Sequence, residues 1–230
     1  MEDFRKSYGS LYAAASAATA VMLVIIPIQI LVFALTPMPG SPEAWFELFA
    51  ANPLLGFFHA DFFILVDNIL IAVIYLGFYH VLKERHKGLL QAALLLGFIG
   101  IAAYAASNKT FELYALAGEY AARTGTEARL PLLAAGRSLI AEWQGTAFDV
   151  YYVLNGAALL VVGALMLGDK TFGRTTAYWG LASGFFMTVP STAGTVGLVF
   201  SLLSLVPWYV FSIRFGLSFL RIARGTTGIR

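Results

Sequence analysis

Two apolar stretches of this sequence contain the polar side chains that can do chemistry. They read Phe58-His-Ala-Asp-Phe-Phe-Ile-Leu-Val-Asp-Asn and Trp143-Gln-Gly-Thr-Ala-Phe-Asp-Val-Tyr-Tyr-Val-Leu-Asn. The candidate ligand-binding residues in them are His59, Asp61, Asp67, Asn68, Gln144, Asp149 and Asn155. An aspartate at the centre of a bilayer costs about 2.5–3.5 kcal/mol on insertion scales. These residues should therefore face the interior of a helical bundle or a water-filled cavity, and not lipid.

The chemistry that these types support is proton or ligand binding. Two carboxylates that lie close together in a low dielectric cannot both ionise cheaply, so such a pair holds a proton. His59 can donate to Asp61 or relay protons. However, the two are separated by about 200° around a helix and do not share a face. The sequence also has no HExxH or ExxH pattern, so we predict no metal and no cofactor. The alternative is that the polar groups only hydrogen-bond across helices and specify packing.

The spacing places the two aspartates at one level. Asp61 lies eight residues after Pro53, about 12 Å along a helix, and Asp149 lies nine after Ile140, about 13 Å. If both helices run from outside to inside, these carboxylates meet in the outer half of the bilayer. Asp67 and Asn155 then fall together one layer deeper.

The same spacing predicts a weak parallel repeat. Asp61 and Asp149 are each followed six residues later by Asp or Asn, and then by Gly97-Phe98 and Gly184-Phe185 at offsets of 36 and 35. The repeat would relate residues 54–107 to residues 140–189. Parallel repeats occur in transporters, whose sites lie near the interface between the repeats.

The elements that must position these residues are transmembrane helices. The 230-residue chain is 59% hydrophobic and 12% charged, with no cysteine and a net charge of +2. Soluble domains carry about 25% charged residues, so a soluble globule is excluded, and the charge gives no case for a nucleic-acid partner. A crossing needs roughly 20 apolar residues. Six stretches qualify, the fifth only weakly: Leu11–Leu35, Leu54–Leu82, Leu89–Ala106, Ile140–Leu167, Thr175–Val189 and Val196–Ile222.

These stretches predict an all-α fold, a polytopic membrane helical bundle with six transmembrane helices in a single integral membrane domain over residues 1–230. The first run is longer than the 7–15-residue core of a signal peptide, so we expect a retained helix. Lysine and arginine set the orientation. The ten on one side are Arg5, Lys6, Lys83, Arg85, Lys87, Lys170, Arg174, Arg221, Arg224 and Arg230, against Lys109, Arg123, Arg129 and Arg137 on the other. Both termini should be cytoplasmic.

Two connections carry helical signals of their own. Ser41-Pro42-Glu43 is typical of a helix start, and the aromatic residues after it suggest a short helix in the membrane interface. The outer connection 108–139 contains helical patterns over Phe111–Ala122 and Glu127–Leu139, which predict an external hairpin. This hairpin is either a connector or a lid over an outward-facing cavity.

Prolines and small residues predict local packing features. Pro27 and Pro207 fall inside the first and last spans and should kink them. Gly180 and Gly184 form a GxxxG pattern with Ala177 on the same stripe, which favours close helix packing. That packing is either within the chain or between copies of it, so the sequence leaves open whether the protein forms a homo-oligomer.

Several short motifs resemble those of a known family. They are Asn52-Pro53-Leu-Leu, the polar start of the second helix through Asp67-Asn68, Ala106-Ser-Asn-Lys, and Trp143-Gln-Gly-Thr-Ala-Phe. On these, the chain resembles the uncharacterised bacterial domain-of-unknown-function 4386 family of small membrane proteins. The resemblance implies a multi-pass protein of the bacterial inner membrane. It implies no catalytic or binding residues, because the family has none established.

Three functions remain open from the sequence. The first is a small-molecule or proton-coupled transporter, or a ligand-binding protein, with a polar outer-half cavity between the second and fourth helices. The second is an intramembrane enzyme that uses the same carboxylates and histidine on a lipid-like substrate. The third is a non-catalytic bundle that acts by association. The expected partners are the lipid bilayer and a small molecule or a proton.

Overall fold

The structure, a computed structural model, describes residues 2–226, which form helices joined by short connections. The helices are α1 (Glu2–Leu35), α2 (Pro42–Ala51), α3 (Pro53–His59), α4 (Phe62–Ser107), α5 (Thr110–Ala122), α6 (Thr126–Trp143), α7 (Thr146–Met166), α8 (Arg174–Phe186) and α9 (Gly194–Arg224). The all-α class is confirmed. Five helical stretches are long and apolar enough to cross a membrane: Tyr8–Leu35, Phe62–Glu84, His86–Ala122, Thr126–Met166 and Gly194–Arg224.

The fifth predicted crossing, Thr175–Val189, is not among these five stretches. Thr175–Val189 contains α8, whose 13 residues are fewer than the roughly 20 that a full crossing takes. The count of six and the orientation therefore stay predictions. Of the basic residues that set the orientation, Arg230 lies outside the described residues, and so do the side chains of Arg5, Lys6 and Arg85.

Helix α4 is a hairpin with two arms, residues 62–85 and 87–107. His86 has φ −144° and ψ 50°, which breaks the helical path between them. Tyr75 and Phe98, which lie at similar distances before and after His86, place their ring centroids 6.1 Å apart. The two arms therefore run antiparallel from a tight turn.

The spanning helices close into a ring. Helix α1 packs against α4 and α9, α7 packs against α4 and α8, and α8 packs against α9. In the half nearer the His86 turn, the middle of this ring is filled by an aromatic cluster of buried rings: Phe78, Phe172, Phe211, Phe215 and Phe219. The Phe78 ring centroid lies 5.0–5.9 Å from the other four centroids. This cluster leaves no path along the bundle axis at that end within the described residues.

The prolines lie within continuous helices, and one of them is compensated by a neighbour. Pro27 has no N–H, so the carbonyl of Leu23, four residues earlier, lacks its helical donor. The Tyr209 hydroxyl of α9 donates to this carbonyl at 2.9 Å. In lipid such a group needs a partner from the protein, so this bond fixes α1 to α9 midway along both helices.

Replacing Tyr209 with phenylalanine should lower the free energy of unfolding by about 1 kcal/mol, the usual size of an interhelical hydrogen bond in a membrane. Titration of the folded fraction with a denaturing detergent measures this. Tyr178→Phe is the matched control, because Tyr178 is 61% exposed. Equal losses in the two variants would show that the bond to Leu23 contributes nothing.

The small-residue stripe of α8 packs inside the chain. A Cβ on Gly180 would lie 2.9 Å from the Phe211 ring of α9, and a Cβ on Gly184 would lie 3.0 Å from the Gly156 carbonyl of α7. Ala177 is fully buried. The intramolecular alternative is therefore confirmed, and α8 fits between α7 and α9 because its packing face carries almost no side chain.

Helices α2, α3, α5 and α6 form a helical cap at the end of the bundle opposite the His86 turn. The predicted start of α2 is confirmed: Ser41 Oγ accepts from the Ala44 N–H, and Pro42 occupies the first turn. Helices α5 and α6 confirm the predicted hairpin. Trp45, Phe46 and Phe49 are each 1% exposed and pack on α5 and α6, so these rings are buried within the protein. The placement of α2 in the membrane interface stays a prediction.

Candidate functional site

The second predicted span is broken near its start. Helix α3 ends at His59, and Asp61 adopts a left-handed conformation with φ 60° and ψ 24° before α4 begins. Asp61 is the only non-glycine residue with positive φ among residues 2–226. Aspartate and asparagine tolerate this region better than other side chains, but it is sparsely populated and needs support from the surroundings.

Side chains from three parts of the chain support the break. The Ala60 carbonyl accepts from Asn108 Nδ2 at 3.0 Å and from Thr110 Oγ1 at 2.6 Å. The Phe58 carbonyl accepts from Gln29 Nε2 of α1 at 2.7 Å. Gln29 Nε2 also lies 3.4 Å from the Asp61 carboxylate. The backbone groups released by the break are therefore satisfied, and the Asp61 side chain is held at a defined position.

Beneath the helical cap, this break borders the main cavity of the bundle, which has a volume of about 530 Å³. Helices α1, α4, α7 and α9 and the end of α8 form its wall. The lining residues that carry polar atoms are Gln29, Asp61, Asp67, Tyr75, Tyr104, Tyr151, Tyr152, Asn155, Ser191, Ser201, Ser204 and Trp208. The rest of the lining is apolar, so the cavity is largely hydrophobic and carries a limited set of polar groups, as small-molecule sites usually do.

Four buried polar atoms of the lining have no hydrogen-bond partner in the protein. They are Gln29 Oε1, Asp67 Oδ1, the Tyr104 hydroxyl and Ser191 Oγ. Gln29, Asp67 and Tyr104 are 3%, 5% and 1% exposed. Buried polar groups are nearly always paired, because leaving one unpaired costs about 1–3 kcal/mol. Four of the nine unpartnered buried atoms among the described side chains thus belong to residues of this one cavity, where a ligand or water could become their partner.

Aromatic rings form a continuous wall on the α4 and α7 side. Tyr104 and Tyr151 have ring centroids 4.7 Å apart, and Phe148 lies 5.7 Å from Tyr104. Deeper in the bundle, the Tyr75 hydroxyl donates to Asn155 Oδ1 at 2.7 Å, and Asn155 Nδ2 donates to the Tyr151 carbonyl at 3.0 Å. These side chains hydrogen-bond to other groups of the protein, so they fix the shape of the wall.

The cavity has a closed end and an apolar mouth. Towards the His86 turn it stops at Trp208 and Tyr75, beyond which the aromatic cluster begins. Towards the membrane, three of its lining residues are large, apolar and strongly exposed: Ile30 and Phe33 of α1 at 46% and 40%, and Leu202 of α9 at 57%. The opening therefore lies between the cap-side halves of α1 and α9.

The structure brings together some of the predicted site residues. Asp61, Asp67 and Asn155 line the cavity, so the predicted deeper pair shares one chamber. The prediction that Asp149 shares it is wrong. The Asp149 carboxylate accepts from Thr192 Oγ1 at 2.7 Å, in the connection before α9, and is not part of the lining. Gln144 is also outside: it follows α6 and is exposed.

His59 and Asn68 are buried beside the cavity and do not line it. His59 Nε2 lies 2.9 Å from Thr36 Oγ1, and its ring stacks on Phe33 and meets the edge of Trp45. Asn68 Nδ2 donates to the Ile64 carbonyl at 2.9 Å. His59 thus joins α1 to the helical cap, which is a structural role. The parallel repeat stays a prediction.

Sequence reasoning missed Gln29 and the tyrosines of the wall. Gln29 was the one amide in the middle of the first span, two residues after Pro27, and that was a signal. Tyr75, Tyr104 and Tyr151 looked like ordinary aromatic residues of apolar helices, and nothing in their spacing set them apart. Only the packing of α4 on α7 shows that these three residues line one cavity.

The donor set of the cavity gives no support for a metal site. Among the described side chains, no three histidine, aspartate or glutamate residues lie close enough together to hold an ion. No family model, curated protein or solved structure matches the chain. Function must therefore be argued from the cavity itself.

Proposed function

We propose that this chain is a multi-pass membrane protein that binds a small amphipathic molecule in the cavity beneath its helical cap. The observation that supports this most strongly is that three residues with an unpartnered buried polar atom, Gln29, Asp67 and Tyr104, all line one cavity of about 530 Å³. A bundle that acts by association alone has no need of such a chamber, and unpaired buried groups would weaken it. A bound ligand would satisfy them.

We infer that the helical cap lies on the outer side of the cell membrane and that both termini lie on its cytoplasmic side. Support comes from the distribution of lysine and arginine, which is ten on one side and four on the other if α8 counts as a crossing. Helix α8 would be a shortened sixth span, sheltered between α7 and α9. The resemblance to the domain-of-unknown-function 4386 family further supports placing the protein in a bacterial inner membrane.

Transport is the second candidate, and the helix break favours it. Asp61 lies in a strained conformation at the edge of the cavity, and proline lies within both helices that form the mouth. Broken helices beside a binding site are typical of transporters. Transport would also require the aromatic cluster around Phe78 to open, with Asp67 available to carry a proton. Ligand binding requires neither event, so it is the better supported proposal.

Replacing Ala34 with tryptophan should block the mouth and weaken ligand binding more than tenfold. Ala34 lines the cavity at the end of α1. Binding is measured calorimetrically with the full chain in dodecyl maltoside, using decanol, decanoate and decyltrimethylammonium as probes and empty micelles as the blank. A probe that enters the cavity must pass the added ring, so at least one of the three should lose affinity.

Ala20→Trp is the matched control, since Ala20 is an exposed residue of the same helix outside the cavity lining. It should leave binding unchanged. If none of the three probes binds the wild-type chain above the micelle blank, or if both tryptophan variants bind as the wild type does, the proposed function is wrong.

A further inference from the structure

Among the aspartate, glutamate, lysine, arginine and histidine residues of the chain, only aspartates line the cavity. Asp61 and Asp67 are its ionisable carboxyl groups, and its lining contains no lysine, arginine or histidine. Two basic residues near the helical cap have other partners: Lys109 Nζ lies 2.8 Å from Glu142 Oε1, and His59 Nε2 lies 2.9 Å from Thr36 Oγ1. The other ring nitrogen of His59, Nδ1, is buried without a partner. No described basic side chain therefore lines the cavity as a counter-ion to these two carboxyl groups.

We propose that the ligand is a lipophilic cation, an amine or quaternary ammonium compound whose charged head lies beside Asp61 and Asp67 and whose apolar body fills the mouth between α1 and α9. This inference rests on the proposed function and names the chemical class that the cavity selects. A buried carboxylate without a partner is costly at membrane depth. An incoming cation offsets that cost, whereas an anion adds to it.

The aromatic wall fits the same chemistry. The face of a tyrosine or tryptophan ring attracts a cation within about 6 Å of its centroid, most strongly where water is excluded. Tyr75, Tyr104, Tyr151, Tyr152 and Trp208 all line the cavity that contains the two aspartates. Quaternary ammonium groups cannot donate hydrogen bonds, so such rings with a nearby carboxylate are the usual way to recognise them.

Because the mouth of the cavity is apolar, the part of the ligand other than its charged head should be apolar too. Ile30, Phe33 and Leu202 form the mouth and are 46%, 40% and 57% exposed on the surface of spanning helices. A ligand that is dissolved in the bilayer meets this opening directly. A volume of about 530 Å³ is within the roughly 300–1,000 Å³ of small-molecule sites, so it admits a head group and part of a chain.

The test compares decyltrimethylammonium with decanol, which shares its chain and lacks its charge. In the assay described above, the cation should bind the wild-type chain at least tenfold more tightly than the alcohol, and decanoate should bind most weakly. In Asp67→Asn, which keeps the shape of the side chain, this preference should fall at least tenfold while decanol binding stays constant. Asp61→Asn, which tolerates the left-handed backbone, should act in the same direction.

Asp149→Asn is the matched control. It removes the same charge from an aspartate outside the cavity, and the preference for the cation should persist. Equal binding of the cation and the alcohol by the wild-type chain would overturn this inference and leave the proposed function standing. An equal loss of preference in Asp149→Asn and Asp67→Asn would overturn it too. If no probe binds at all, the proposed function itself fails.

A membrane lipid and a free compound can both carry this head group, and competition separates the two sources. Phosphatidylcholine, added to the micelles, should displace decyltrimethylammonium if a lipid head group occupies the site. Phosphatidylglycerol, which has no cationic group, is the control and should not displace it. Displacement by neither lipid assigns the site to a free lipophilic cation.

Discussion

Replacing Phe78 with alanine is expected to lower the free energy of unfolding by about 3–5 kcal/mol, the usual cost of removing a large buried aromatic side chain. The Phe78 ring is 1% exposed and touches four other phenylalanine rings. Phe172 lies in the connection between α7 and α8, and the other three rings lie on α9. Because they belong to separate elements, they cannot move together to fill the cavity that the substitution leaves. Titration with a denaturing detergent measures the loss.

Phe185→Ala is the control for this prediction. Phe185 is 58% exposed, so the same substitution removes few buried contacts and should cost less than about 1 kcal/mol. A loss of under about 1 kcal/mol in Phe78→Ala would mean that the aromatic cluster does not stabilise the bundle. The claim that it closes the end of the cavity would then lose its energetic support.

Replacing Gly184 with leucine should cost about 3 kcal/mol, at the upper end of the range for overpacking. A Cβ at this position would lie 3.0 Å from the Gly156 carbonyl oxygen and 3.0 Å from the Leu160 backbone nitrogen. Both atoms belong to the backbone of α7, so no rotamer change relieves the contact. Helix α8 must move away from α7, and thermal unfolding of the purified full chain should show the loss.

Gly118→Leu provides the comparison. Gly118 is a helical glycine of α5, and a Cβ there meets nothing within 4 Å. Leucine has a higher helix propensity than glycine, so this variant should be as stable as the wild type or slightly more stable. If Gly184→Leu is equally well tolerated, α8 is not packed on α7 as described.

Much of the helical scaffold could be predicted from local signals. Long apolar runs must be helical in a bilayer, and the start at Ser41-Pro42 is set by hydrogen-bond chemistry within one turn. The same applies to α5 and α6, whose helical patterns lie within single segments. The length of α8 was overestimated because hydropathy continues past Phe186, where the helix ends.

The site was predicted only in part, because its geometry depends on contacts between distant segments. The helix can break at Asp61 because the side chains of Asn108 and Thr110, almost fifty residues later, donate hydrogen bonds to the Ala60 carbonyl. An ideal helix through Asp61 predicted Asp149 as its neighbour, and in the structure Asp149 lies against Thr192. Helix α7 begins only at Thr146, so Asp149 lies in its first turn, where its carboxylate accepts from Thr192. A distance counted from Ile140 could not reveal this partner.

The bond between Tyr209 and the Leu23 carbonyl restricts how the mouth of the cavity can change width. If α1 slid along α9 by one turn, this carbonyl would lose its donor, at the same cost of about 1 kcal/mol that is expected for Tyr209→Phe. Below the bond, Gly216 admits the Thr19 side chain and the two helices are in close contact. A change of the angle between α1 and α9 at this bond would keep the bond, and it would alter the distance between Ile30 and Leu202 without altering the register of the helices.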